Sequence, residues 1–208
     1  MMEQVPQWAA VLRCIQFSNE MTFETNRAAT LKTRRLLLRQ PDRDDIQAIV
    51  RHAGDPRVAF KTSTIPHPYH IGHAHEWLAQ IDAARACGGI ETFAIERRSV
   101  AGLIGMIGLI PGEERRSAEV FYWIGVPFWR CGYATESLRE VLRYAFFDRG
   151  LGYVTGGHMI GNPAAGKVMQ KARMVFEGIV SHGMKRGQVF HDRVNYGISA
   201  DEWRNAIG

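Results

Sequence analysis

Cysteine is scarce in this chain. Cys14, Cys87 and Cys131 are the three in 208 residues, odd in number and far apart. That spacing excludes a disulfide framework and a cysteine-based zinc site, and it points to free thiols in a reducing, cytoplasmic compartment. Long apolar runs are lacking as well. The patch Trp8-Ala-Ala-Val-Leu12 is interrupted by Arg13 and is too short to span a bilayer. It has no basic leader and no clear cleavage site, and Glu3, Glu20 and Glu24 do not suit a transit peptide, so no membrane partner is expected. No glycine-rich stretch is followed by Gly-Lys-Ser/Thr, and no three-glycine dinucleotide spacing occurs. Aromatic RNP motifs are absent, so direct binding to nucleic acid is not expected.

What is present suits an ordinary globular protein. Apolar residues make up 46% and charged residues 23%, enough for a core in one domain of this length. The domain is read as residues 31–208. Residues 1–30 form an extension of unknown role: an extra helix packed on the domain or a partner, or a segment ahead of a true start at Met21. The net charge of +5 favours an anionic partner.

Periodicity places the elements. Leu31 to Gln40 reads as one strand with Leu36–Leu38 buried. Pro41-Asp42 then starts a helix carrying Ile46, Ile49 and Val50, which Asp55-Pro56 breaks. A second helix spans about Ile71 to Arg85 and ends at Gly88-Gly89. Three strands follow, Thr92–Arg97, Leu103–Ile110 and Ser117–Gly125, joined by short polar loops. Gly102, Gly105 and Gly108 thin the middle one and suggest a bulge or a close neighbour. A helix with Leu138, Val141, Leu142, Ala145 and Phe146 on one face comes next, then a strand over Tyr153–Ile160 lying parallel to the one before the helix. Asn162-Pro163 reads as an N-cap followed by proline at the first helical position. Two tail strands, Phe176–His182 and Val189–Ser199, flank a basic turn over Gly183–Gly187.

The pivotal stretch is Phe121-Tyr-Trp-Ile-Gly-Val-Pro-Phe-Trp-Arg-Cys-Gly-Tyr-Ala-Thr-Glu136. An aromatic, β-branched strand runs through a glycine turn straight into a helix. Such a junction leaves several N–H groups unpaired at the helix start, where the helix dipole also attracts anions. Gly132 and Ala134 would let an anion come close. A phosphate site and an ordinary βα turn are both compatible with this spacing.

Trp129-Arg-Cys-Gly-Tyr-Ala-Thr-Glu136 resembles the acyl-CoA pyrophosphate loop of the GNAT N-acetyltransferases, and within them the RimJ/RimL-like branch. The resemblance runs from about Leu31 to Trp203. It implies an α+β fold: a central mixed, mostly antiparallel sheet, flanked by helices, whose fourth and fifth strands are parallel and splay apart to admit the pantetheine arm. It implies acetyl-CoA as co-substrate and no metal. The cofactor-binding positions it points to are Tyr122, Trp123 and Ile124 for the arm, Trp129, Arg130, Cys131, Gly132, Tyr133, Ala134 and Thr135 for the pyrophosphate, and Asn162 and Lys167 on the following helix. The N–H of Trp123 or Ile124 would polarise the thioester carbonyl. Departures are visible. Arg130 and Arg173 stand where the branch usually has glycine, Ala165 where it has serine and Gln170 where it has glutamate. Met169 occupies the place of the tyrosine that many members use to protonate the leaving thiolate.

For the proton of the amine, Glu119 is the first candidate base and His158 the second. Glu119 could equally be a solvated strand residue paired with Arg115 or Arg116. Positioning alone supplies much of such a rate. Cys131 carries little weight as a nucleophile, and the resemblance implies direct attack by a primary amine. His67, His70, His73 and His75 lack a completing ligand for a metal and lie where the family shapes its acceptor site. No acidic cluster awaits a polycation, which favours a protein N-terminal amine, including that of a ribosomal protein, or a zwitterionic small amine. Monomer and homodimer both fit. A CoA-binding module without turnover, and a ribosome-associated binder driven by charge, are the alternatives.

Overall fold

The computed structural model describes residues 29–86, 88–112, 114 and 116–207. Cys14, Cys87 and Arg115 lie outside them, as does the extension apart from its last two residues.

Leu31–Gln40 is not one strand. It folds back as β1 (Leu31–Lys32) and β2 (Leu36–Arg39), paired antiparallel with Leu31 opposite Leu38. Thr33 causes the reversal: its N–H donates to the Leu36 carbonyl at 3.0 Å and its hydroxyl accepts from Leu36 N–H at 2.9 Å. A 3-10 turn over Arg43–Asp45 leads into α1 (Ile46–Ala53), with Asp42 and Asp45 forming a capping box. One turn of helix, α2 (Pro56–Ala59), follows where the sequence suggested only a break, because Asp55 caps it and proline takes its first position. Then come α3 (Ile71–Ala86), β3 (Glu91–Arg97), β4 (Val100–Pro111) and β5 (Ser117–Ile124). The central helix α4 (Tyr133–Arg143) runs into a π turn over Tyr144–Asp148, and β6 (Tyr153–Met159) and α5 (Pro163–Lys171) follow. The tail is a longer hairpin than the sequence suggested, β7 (Val175–Arg186) and β8 (Val189–Ser199). Gly183–Arg186 belongs to β7, across a register shift between Val180 and Met184. Helix α6 (Ala200–Ile207) closes the described chain, with Ser199 and Glu202 hydrogen-bonded reciprocally at its start.

The eight strands form one sheet in the order β1-β2-β3-β4-β5-β6-β8-β7. Every neighbouring pair is antiparallel except β5–β6. Helices cover both faces. On one, Leu138, Val141 and Leu142 of α4 and Met169 of α5 pack on Leu36, Leu38, Ile95, Ile107 and Val154. Completely burying leucines such as Leu138 and Leu142 stabilises the fold by roughly 1.5–3 kcal/mol apiece. On the other, Ile46 and Ile49 of α1 and Ala74 and Leu78 of α3 pack on Ala94, Leu103 and Met106. With the first strand split in two, the predicted fourth and fifth strands are β5 and β6.

Candidate active site

The parallel ladder stops early. Pairing of β5 with β6 runs from Ser117–Tyr153 to Val120–Gly156. Beyond it β5 continues to Ile124 and β6 to Met159, each held only by its outer neighbour, β4 or β8. Gly125 N–H donates to Ile104 O at 2.8 Å across to β4. Antiparallel alternation therefore turns the N–H groups of Tyr122 and Ile124 to the open edge and that of Trp123 to β4. Of the two amides that the sequence offered for a thioester oxygen, that of Ile124 faces the open edge and that of Trp123 faces β4. The Trp123 side chain still lines the cleft, from the opposite face. Trp129 ties the loop to the strand end, its indole N–H donating to Ile124 O at 2.6 Å.

Past that anchor the chain makes the collar. Arg130 has φ 61° and Gly132 φ 79°, both left-handed. Gly132 is the N-cap of α4 and offers no side chain, so the N–H groups of Tyr133, Ala134 and Thr135 have no intrahelical partner. Arg35, in the β1–β2 turn, braces the collar from outside. Its Nε donates to Glu136 Oε2 at 2.6 Å, its Nη1 to Cys131 O at 3.0 Å, and its guanidinium lies 4.8 Å from the centre of the Tyr133 ring. Burial alone would raise the Glu136 carboxyl, but hydrogen bonds from Thr33 and from Arg35 backbone and side chain outweigh it and hold the group below the ordinary range. Cys131 is exposed and, alone among the predicted cofactor residues, does not line the cleft.

The start of α5 forms the facing wall. Asn162 occupies the N-cap, yet its side chain does not cap the helix. It donates instead to Lys61 O at 3.4 Å, while Lys61 Nζ donates to Gly161 O at 2.6 Å. Tyr122 reaches across the gap and donates its hydroxyl to Ala165 O at 2.9 Å. Burial pushes that phenol well above its ordinary value, so it remains protonated. Lys167 is exposed on the cleft wall. Arg173, just past α5, has φ 73°. Both arginines that replace a customary glycine thus hold the left-handed conformation that favours glycine.

The two candidate proton carriers lie on opposite faces of the sheet. Glu119 stands opposite Thr155, and His158 is three residues further along β6, so alternation points their side chains apart. The expected partner Arg115 lies outside the described residues, and Glu119 does not pair with Arg116. Arg193, on β8, donates Nη2 to its Oε1 at 2.7 Å and Nε to Asn195 Oδ1 at 2.7 Å. His158 is buried, with Nδ1 2.7 Å from Met159 O and its ring stacked on Tyr196 at 5.9 Å. A carbonyl only accepts, so Nδ1 carries a hydrogen and Nε2 is left facing α5. A Cβ on Gly166 would come within 2.8 Å of that Nε2, so only glycine lets the helix pack so closely.

These walls enclose one cleft of about 1940 Å³. Its far end, away from the collar, is formed by the segment between α2 and α3, by Tyr69, His73, Glu76 and Trp77, and by the β7–β8 tip. Burial, with Glu76 nearby, pushes the Tyr69 phenol up to about 12. Arg186 at the hairpin tip donates to Thr62 O at 2.6 Å and Ile65 O at 3.0 Å, and stacks 4.9 Å from the centre of the Phe60 ring. Of the four clustered histidines, His67 and His73 line the cleft, and His70 N–H donates to His73 Nδ1 at 3.0 Å. No group of three or more metal-ligating side chains converges among the described residues. Nor is any helix among them long and apolar enough to cross a membrane. Arg35, Arg186 and Arg193 were invisible as site residues in the sequence, where each is one basic residue among 26.

Known proteins share this architecture. The family model described as acetyltransferase (GNAT) domain matches residues 35–175. The uncharacterised N-acetyltransferase YoaA of Bacillus subtilis is 29% identical over 181 residues, covering 81% of this chain and 95% of YoaA. YdaF of the same organism, whose name marks it as a candidate ribosomal N-acetyltransferase, is 30% identical over 115 residues, or 55% of this chain and 62% of YdaF. The structure of Mycobacterium smegmatis RimJ in complex with CoA-disulfide superposes with a TM-score of 0.74 at 17% identity, covering 86% of this chain and 90% of that one. At that identity the match speaks for the fold.

Proposed function

The chain belongs to the GNAT family of acetyltransferases, enzymes that take an acetyl group from acetyl-CoA, and from that premise we propose that it acetylates a primary amine by direct attack in a ternary complex. The observation that carries this reading is the ladder that ends at Val120 and Gly156 while both strands continue. The residues present fit acetyl-CoA. The open edge offers Tyr122 and Ile124 amides to an extended arm, and the collar offers the free amides of Tyr133, Ala134 and Thr135 to a pyrophosphate. When bound, acetyl-CoA supplies the activated acyl carbon. Everything else is this chain's work.

Ile124 N–H is aimed to stabilise charge developing on the carbonyl oxygen. Arg130, Asn162 and Lys167 border the cofactor end. Glu119, held by Arg193 on the face that α1 and α3 also cover, is the group placed to take the amine's proton, directly or through water. His158 lies buried on the other face under α5, so the two do not act as a pair. No tyrosine stands at Met169.

The acceptor is proposed to be an N-terminal amine of a peptide or protein. The far end of the cleft is broad and lined by aromatic and backbone groups with few free carboxylates, which suits a chain end better than a polycation. The name of YdaF makes ribosomal proteins the first class to try. The test is a screen of N-terminal peptides and small amines with acetyl-CoA, reading thiol release, beside a Glu119→Gln variant. A peptide should be turned over, and the variant should lose about a hundredfold in kcat. Undiminished turnover in Glu119→Gln removes Glu119 from the mechanism, and turnover of small amines alone removes the peptide.

A further inference from the structure

The cleft has an apolar floor on the Glu119 face of the sheet. Strand alternation puts Glu119, Phe121 and Trp123 of β5 on that face, opposite Ile110, Gly108 and Met106 of β4. A Cβ on Gly108 would come within 2.5 Å of Phe121 Cε1 and Cζ. The Phe121 ring therefore lies across β4 in space that a side chain would otherwise fill, which accounts for one of the glycines that thin the middle strand. Helix α3 faces this floor. His73, Glu76, Trp77, Gln80 and Ile81 line the cleft at i, i+3, i+4, i+7 and i+8, one stripe of the helix. Trp77, Ile110 and Phe121 pack on the buried Ile81 and Ile90, and Trp77 and Trp123 pack on the apolar cluster under α1 and α3. Yet Trp77, Ile110, Phe121 and Trp123 are only partly buried, and all but Ile110 are large rings; all four line the cleft. Apolar surface left open inside a cleft gains most from an apolar ligand.

Its position says which part of a ligand that is. Ile110 stands directly across the ladder from Glu119, and Phe121 is the next residue of β5 on the same face. The apolar pocket thus begins at the group proposed to take the amine's proton. In a peptide the first side chain branches from the carbon bonded to the amine nitrogen. With that nitrogen at Glu119, the first side chain falls on Phe121 and Ile110 and extends toward Trp77. We infer that these residues form a pocket for the first side chain of the acceptor, and that the enzyme selects N-termini whose first residue is aromatic or long and aliphatic. The inference rests on the N-terminal-amine reading above and names the acceptor class within it. Charged first residues are disfavoured. Glu76 is the one carboxylate on the α3 stripe, and Glu119 is already engaged by Arg193, so a cation finds little to pair with and an anion meets two like charges.

The test is a set of heptapeptides identical beyond the first residue, which is Phe, Leu, Ala, Ser, Lys or Asp. Each is assayed with the full chain and acetyl-CoA by thiol release, and kcat/KM is compared. Phe and Leu should exceed Ala and Ser by about tenfold or more, the discrimination an apolar pocket provides, with Lys and Asp lowest. In Trp77→Ala, checked for folding by its CoA binding, the ratio of Phe to Ala should shrink to within about threefold. Should that variant fail to fold, the series in the natural protein decides alone. Equal kcat/KM across the six peptides, a preference for Ala, Ser, Lys or Asp, or a ratio unchanged in folded Trp77→Ala overturns the pocket while the N-terminal-amine reading stands. If no peptide is turned over, both fall.

Discussion

Glu119 and Arg193 meet across a strand that belongs to neither of them. Arg193 Nη2, on β8, donates to Glu119 Oε1, on β5, at 2.7 Å, and the guanidinium passes over β6 at Gly157, where a Cβ would collide with it. The pair fixes the carboxylate on the cleft wall. Arg193→Met is expected to lower kcat about tenfold with the KM for acetyl-CoA unchanged, since it disturbs the position of the proposed proton acceptor and not the cofactor. Arg193→Lys should recover part of the loss. Steady-state kinetics with both substrates varied checks this, and an acetyl-CoA KM that moves with kcat contradicts it.

Glu136 makes the collar's stability depend on pH. Its folded carboxyl lies below the ordinary value of 4.5 because the hydrogen bonds from Thr33 and Arg35 outweigh its burial. A depressed carboxyl contributes stability above its unfolded value and loses it as pH falls through the folded one. The difference in Tm between the natural protein and Glu136→Gln should therefore be constant above pH 4.5 and close below it. A gap that widens in acid would reverse the sign.

Arg130 and Arg173 hold left-handed backbone at φ 61° and 73°. Arg130→Gly and Arg173→Gly should each stabilise the fold by about 0.5–1 kcal/mol in urea denaturation. Arg130→Gly should at the same time weaken CoA binding if its side chain reaches a phosphate. Gly132→Ala should go the other way, costing about 1–2 kcal/mol, because Gly132 sits at φ 79° with Arg35 Nη2 3.4 Å from the added carbon.

Arg186 spans from the hairpin tip to Thr62 O and Ile65 O. Arg186→Met should loosen the acceptor end alone. The acceptor KM is expected to rise several-fold while CoA affinity by titration stays put. A loss of CoA affinity would show that the two ends of the cleft are mechanically one.

The collar was legible because its chemistry is contiguous. From Tyr122 to Glu136, strand, turn glycine and amphipathic helix follow one another within fifteen or so residues, and each has a local signature. Elsewhere legibility failed where the deciding contact is distant or small. Thr33 reversing the chain between β1 and β2 looks in the sequence like one more polar strand residue. The length of β7 was hidden by Gly183 and Gly187, of which only Gly187 lies in the turn. Asn162 has the right identity and position for a cap, yet a tertiary partner, Lys61 O, takes its side chain. Arg35, Arg186 and Arg193 reach partners about a hundred, a hundred and twenty and seventy-five residues away, and no periodicity or spacing encodes such pairs. The opposite orientation of Glu119 and His158 depends on the β5–β6 register, which only the assembled sheet reveals.

Where β5 and β6 part, the sheet has a seam. The amides of Tyr122 and Ile124 face it with no strand opposite, so solvent deuterium should reach them sooner than the amides of Ile107 or Val154 in the closed parts of the same sheet. Saturation with CoA should slow those two positions more than any others in the strands, because an extended arm in the seam would act as the missing neighbour.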